Sequence, residues 1–181
     1  TDFRCARRPG IRPVKPDLRG KRVSQDICRW QSLIERARQR ADADRTPMVA
    51  YPNLGDVYFR VDGKPTLARG EYQKALVLAE ALAKADPADA RAQRDLSVSY
   101  NRLGEVTLQL GQPAKALESY QKGLTVSEAL AKADPADALA QRDLALSYNN
   151  LGDLTLHPGH TAKAPEHYQK ALTCPELRPK A

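Results

Sequence analysis

From residue 138 to 156, Leu144, Tyr148, Leu151 and Leu154 fall three and four positions apart, with Ser147 on the same side. That spacing follows the 3.6-residue turn, so the segment predicts an amphipathic helix. A second stripe, Ala116, Leu117, Tyr120, Leu124, Ser127 and Leu130, predicts a helix opened by Pro113 after a break at Gly111. Proline suits that first position because its missing N–H would have no partner there anyway. Between such helices lies Asp134-Pro135-Ala136-Asp137, with Asp86-Pro87-Ala88-Asp89 as its earlier copy. Asp134 and Asp86 are expected as N-caps and Pro135 and Pro87 as first helical residues. Asp137 and Asp89 are expected to close a capping-box-like contact, with their charge at the favourable end of the helix dipole.

The pattern repeats. Tyr72-Gln73-Lys74, Tyr120-Gln121-Lys122 and Tyr168-Gln169-Lys170 recur at intervals of 48, and Glu80 to Ala90 returns almost unchanged as Glu128 to Ala138. Tyr100-Asn101 matches Tyr148-Asn149, and Leu103-Gly104 matches Leu151-Gly152. A fixed period of this size signals stacked supersecondary units, here two helices each.

The spacing within a unit resembles the tetratricopeptide repeat. Tyr51-x2-Leu54-Gly55-x2-Tyr58 fits the first half of that signature with Tyr for Trp. Tyr100, Leu103 and Gly104 repeat it, as do Tyr148, Leu151 and Gly152, with Thr107 and Thr155 in the last aromatic slot. Ala68-x3-Tyr72, Ala116-x3-Tyr120 and Ala164-x3-Tyr168 supply the second half, followed by the small residues Ala75, Gly123 and Ala171. The likeness spans roughly residues 48–173. The family period is about 34, and two matched insertions of about seven residues explain the longer one. Each adds about two turns, or about 10 Å, and nearly preserves the facing side. The long period is also similar to arrays in large bacterial multidomain signalling proteins. The resemblance implies an all-α, right-handed solenoid of antiparallel helix pairs that binds other proteins.

The expected organisation is a basic, disordered segment over 1–25 and a decayed helical segment over 26–47. Repeats follow over 48–86, 87–134 and 135–174, with a tail over 175–181. Trp30, Leu33, Ile34 and Ala37 sit at helical spacing in the decayed segment. Pro47 and Pro52 are expected to interrupt the first helix of unit one, and Pro158 and Pro165 to damage unit three. Cys174-Pro175 should end the last helix early. With two to three sound repeats, marginal stability is expected, and the natural polypeptide is expected to carry more repeats or an attached domain. A chain beginning at Thr1 reads as a processed or truncated product.

Charge changes the picture only at one end. Residues 1–40 carry 12 Lys/Arg against 4 Asp/Glu, whereas residues 41–181 carry 17 against 18. Arg4, Arg7, Arg8, Arg12, Lys15, Arg19, Lys21 and Arg22 could neutralise phosphates, but only Phe3 and Trp30 are near for base stacking. Nucleic acid is therefore a second reading for residues 1–25, beside a solvated linker or non-native translated sequence, and is not favoured. The three cysteines, Cys5, Cys28 and Cys174, show neither a disulfide framework nor metal spacing, which points to a reducing, cytoplasmic setting. No apolar run reaches membrane-spanning length.

In the family the first helix of each unit lines a concave groove. The resemblance places Pro52, Asp56, Phe59 and Arg60 there in unit one. Unit two offers Val98, Asn101, Glu105, Leu108 and Gln109, and unit three Leu146, Asn149, Asp153, Leu156 and His157. Asp56, Glu105 and Asp153 recur in register. One reading makes them an acidic stripe that, with Asn101, Gln109 and Asn149, takes a basic peptide; the other makes them a solvated helix face. The basic N-terminal segment could itself occupy such a groove. His157, His160 and His167 near Cys174 replace polar surface residues of unit two and read as drift rather than a metal site. No nucleophile elbow, zincin or Walker sequence occurs, so neither catalysis nor a cofactor is expected.

Overall fold

The structure is a computed structural model, and it describes residues 18–39, 46–155 and 164–173. Among these residues every element is a helix: α1 (Leu18–Gln39), α2 (Thr46–Asp56), α3 (Pro65–Ala85), α4 (Ala90–Gln109), α5 (Pro113–Ala133), α6 (Ala138–Thr155) and α7 (Ala164–Thr173). Each packs on its chain neighbours, and α4 also meets α6. No described helix is long and apolar enough to cross a membrane.

Pro65 and Pro113 each open a helix, as the sequence pattern predicts for Pro113. Gly111, at φ 73°, ends α4: Gln112 N–H donates to Thr107 O at 3.1 Å and Gly111 N–H to Leu108 O at 2.9 Å. This is the Schellman geometry, which a side chain at the glycine would strain.

The Asp-Pro-Ala-Asp junctions differ from expectation by three residues. The second aspartate is the N-cap: Asp89 Oδ1 accepts from Arg91 N–H at 2.9 Å and Ala92 N–H at 3.2 Å. Asp137 likewise accepts from Leu139 N–H at 2.9 Å. The first aspartate instead begins a tight turn. Asp86 Oδ1 accepts from Ala88 N–H at 3.0 Å, and Asp89 N–H donates to Asp86 O at 3.2 Å. Proline in the second place of a type I turn explains why the helix waits until the fourth residue. Gln93 Nε2 then donates back to Ala83 O and Pro87 O, both at 3.3 Å, and Gln141 does the same to Ala131 O and Pro135 O. The turn is thereby tied to both flanking helices.

Each unit is held by one repeated contact. A Cβ on Gly104 or Gly152 would lie 2.5 Å from the ring of Tyr120 or Tyr168, and Gly55 meets Tyr72 in the same way. The glycine is needed for the close crossing of the two helices, not for its backbone freedom. Ala68 and Ala116, both 0% exposed, allow the same close approach four residues before each tyrosine. One core cluster joins Ile34 of α1, Met48, Ala50, Tyr51 and Leu54 of α2, and Tyr72, Ala75 and Ala79 of α3. A second joins Ala116 and Tyr120 of α5 to Leu151 and Leu154 of α6. Consecutive units are also tied by tyrosines: Tyr100 donates to Glu80 at 2.8 Å and Tyr148 to Glu128 at 2.7 Å.

Unit one carries an extra residue, because Gly55 to Gly104 is 49 positions while Tyr72 to Tyr120 is 48. A π-helical turn over Val57–Val61 absorbs it, with Asp62 N–H donating to Val57 O at 2.9 Å. Pro52 does not interrupt α2, contrary to expectation. Asn53 Nδ2 donates to Val49 O at 2.8 Å, so a carbonyl beside the disturbed rung is satisfied by a side chain. Pro47 and Pro165 both fall in the first turn of their helices, where the lost N–H is harmless. Pro158 and the Cys174-Pro175 step lie outside the described residues.

At the N-terminal end, α1 begins at Leu18, inside the segment expected to be disordered. Ile27, Trp30, Leu33 and Ile34 bring it onto the first cluster, so the decayed helix still covers the end of the core. The expectation of free cysteines does not hold for Cys28, which is disulfide-bonded. Its partner lies outside the described residues, and the spacing of cysteines in sequence does not reveal which Cα atoms approach.

Candidate functional site

Helices α2, α4 and α6 form the wall expected to bind a ligand, and the carboxylates expected along it are already engaged. Asp56 Oδ1 accepts the Tyr72 hydroxyl at 2.6 Å, while its Oδ2 lies 2.9 Å from Arg102 Nη1. The second contact is an ion pair by distance without hydrogen-bond alignment. Glu105 takes Arg60 Nη2 at 3.2 Å on both oxygens. Asp153 Oδ1 accepts the Tyr168 hydroxyl at 2.7 Å.

The recurring acid is thus a partner of the recurring tyrosine in units one and three. Tyr72 is pushed above the usual phenol range by burial first, then by the hydrogen bond to Asp56. Tyr168 is pushed up to about 12, chiefly by its hydrogen bond to Asp153. In unit two, burial raises Tyr120, helped by the charges of Glu105 and Asp153. The sequence shows both recurrences, and reading them together would have found the pairs.

The amides divide. Asn101 Nδ2 donates to Ser147 Oγ at 3.0 Å, and its Oδ1 is buried without a partner; a Cβ on Gly123 would lie 2.9 Å from it. Asn149 is half-buried on α6 and makes no side-chain hydrogen bond among the described residues. Gln109 is exposed at the last position of α4. Phe59, expected in the groove, packs against the first core cluster. Leu156 and His157 lie outside the described residues.

The concavity lies across α4 and α6. A groove of about 610 Å³ is lined by Arg60, Arg91, Arg94, Asp95, Val98, Asn101, Arg102, Glu105, Arg142, Asp143, Leu146 and Asn150. A smaller cleft of about 180 Å³ adjoins it between α2, α3 and α4, lined by Met48, Val49, Pro52, Asn53, Tyr72 and Ala75. The two share Asp95, Val98 and Arg102. Of the residues that the resemblance places there, Arg60, Val98, Asn101, Glu105 and Leu146 line the groove and Pro52 lines the adjoining cleft, while Asn150 takes the place expected of Asn149. Asp56 borders it through Arg102; Asp153 and Gln109 are not part of its lining.

Five arginines and three carboxylates line this groove. Arg94 Nε donates to Asp143 Oδ2 at 2.5 Å, and Arg142 stands 3.5 Å from the other oxygen of the same carboxylate. Asp143 is 6% exposed, so its charge is consumed within the wall. Arg91 makes no ion pair among the described residues and is exposed. The arginine excess was missed because reading the acids in register left their neutralising partners on neighbouring helices out of view. No group of His, Cys, Asp or Glu suited to a metal occurs among the described residues. No family model matches the chain, and no curated protein matches it.

Proposed function

We propose that this chain is a protein-interaction scaffold of the tetratricopeptide type, its helix pairs stacked as a right-handed solenoid. On this reading it holds a segment of a partner protein in the groove along α4 and α6. The carrying observation is the groove itself: concave, and lined by Val98 and Leu146 together with five arginines. An apolar strip rimmed by charge gives one segment both area to bury and a direction of approach.

The ionic lining favours an acidic segment over the basic one expected from sequence. Asp56 and Glu105 are neutralised by Arg102 and Arg60, and Asp143 by Arg94. Arg91 and the outer part of Arg142 are left to meet a ligand carboxylate. The adjoining cleft, with Met48, Val49 and Pro52, suits an apolar side chain beside that acid.

The test compares fluorescence anisotropy of an acidic and a basic peptide, each carrying one leucine, against the intact chain at low salt. Tighter binding of the acidic peptide, weakened by Arg91→Glu and by added salt, is the expected result. Preference for the basic peptide, abolished by Glu105→Lys/Asp153→Lys, would restore the acidic-stripe reading. Binding of neither would remove the groove as a peptide site.

A further inference from the structure

Residues 93–101 and 141–149 carry the same motif, Gln-Arg-Asp-Leu-x2-Ser-Tyr-Asn. Across the contact between α4 and α6, two residues of the first copy meet two of the second. Arg94 Nε donates to Asp143 Oδ2 at 2.5 Å, and Asn101 Nδ2 donates to Ser147 Oγ at 3.0 Å. Arginine and asparagine reach forward to the next unit, while aspartate and serine receive from the unit before. Every copy of the motif therefore carries both halves of one lock.

The copy on α6 has used only its receiving half. Arg142, the counterpart of Arg94, is 52% exposed, against 28% for Arg94. Its acid neighbour is the adjacent Asp143, which Arg94 already holds. Asn149, the counterpart of Asn101, makes no side-chain hydrogen bond among the described residues. The apolar positions agree. Val98 on α4 is half-buried, but its counterpart Leu146 on α6 is 49% exposed; Leu139, 46% exposed, stands where α4 has the exposed Arg91. Leu139, Arg142, Leu146 and Asn149 follow at three- and four-residue steps, so they share one face of the helix.

We propose that this face of α6 is a docking surface for a helical repeat of a partner polypeptide bearing the same motif. The partner's aspartate would close on Arg142 and its serine on Asn149, with an apolar side chain covering Leu146. The complementarity is the one the chain displays between α4 and α6. The interface is head-to-tail, since the two surfaces that meet are different. A second copy of this chain fits poorly: its Asp143 and Ser147 are engaged by its own Arg94 and Asn101, and its Ser99 is 2% exposed. This face shares Arg142 and Leu146 with the peptide groove, so a docked repeat would compete with a groove-bound peptide; the exchange of charges between Arg142 and Asp95 in the test below belongs to the docked repeat alone.

The test titrates the intact chain into a labelled synthetic peptide spanning residues 90–134, first verified as helical by circular dichroism, which carries Asp95 and Ser99 at the places of Asp143 and Ser147. Saturable binding is expected, weakened at least about tenfold by Arg142→Glu in the chain. Asp95→Arg in the peptide should weaken binding to the unaltered chain and restore binding to the Arg142→Glu chain, as a coupled pair requires. No binding would overturn the proposal. So would binding indifferent to Arg142→Glu, which would mean exchange for the chain's own α4. Concentration-dependent dimerisation of the chain alone, abolished by Arg142→Glu, would assign the face to a second copy and equally overturn it.

Discussion

Gly104 is where a single methyl group would do most harm. The ring of Tyr120 lies across its Cα, so Gly104→Ala must move a ring that is 3% exposed and packed on all sides. Loss of about 1–3 kcal/mol is expected, read from the urea midpoint. Gly70, inside α3 with open space at its Cβ, supplies the control: Gly70→Ala should stabilise by about 0.5–1 kcal/mol. If both substitutions behave alike, the glycine-tyrosine contact is not what closes each unit. The tyrosines themselves set an alkaline limit. Tyr100 is pushed up to about 12 by burial and by its hydrogen bond to Glu80, and Tyr168 to about 12 chiefly by Asp153. A phenol with a raised pKa favours the folded state fully while the unfolded phenol is still protonated, below about pH 10. That contribution is lost as pH rises from there to about 12. Stability by chemical denaturation should fall through this window, and tyrosinate absorbance should rise in the same range. Ionisation of all tyrosines at the ordinary phenol value would contradict these hydrogen bonds.

At the scale of elements, the junctions decide where helices begin. Asp89→Ala removes the acceptor for two N–H groups and should cost about 0.5–2 kcal/mol. Asp86→Ala loses only a turn contact within the exposed loop and should cost less; urea melts of the two variants make the comparison. Helices α3 to α6 were legible because their apolar stripes recur with the period and because Pro113 and Gly111 punctuate them. The capping residue was misplaced by three positions. The string Asp-Pro-Ala-Asp permits a helix from either aspartate, and the turn bond from Asp89 to Asp86 selects the second. The π turn at Val57–Val61 was implicit in the sequence as a one-residue mismatch between two intervals. How the chain would absorb that residue was not written there. Similarly, Pro52 looked like a breaker because the sequence does not show that the residues beside it, Tyr51 and Leu54, are held in the core as a continuous helix.

At the scale of the molecule, a polar seam of serines runs beside the apolar cluster that joins α5 to α6. Ser97, Ser127 and Ser147 lie buried between α4, α5 and α6, with Ser97 and Ser127 oxygens 2.6 Å apart and Ser127 and Ser147 oxygens 3.2 Å apart. Such a seam fixes lateral register, because sliding would leave buried hydroxyls unpaired. Ser147→Val is therefore expected to disturb the α4–α6 contact beyond its change in volume, seen as faster hydrogen exchange in α6 than in α3. Equal protection of the two helices in that variant would contradict the role given to the seam. The charge of the groove was the least legible feature. Arg60 and Glu105 are 45 residues apart and Arg94 and Asp143 are 49 apart, so each neutralisation depends on which helices lie side by side. The most direct measurement of the interaction role is a nitrogen-15 NMR titration of the intact chain with a short acidic, leucine-bearing peptide. Shifts should concentrate at Arg91, Val98, Arg142, Leu146 and Asn150, lining α4 and α6. Shifts confined to the opposite surface, or none at saturating peptide, would contradict it.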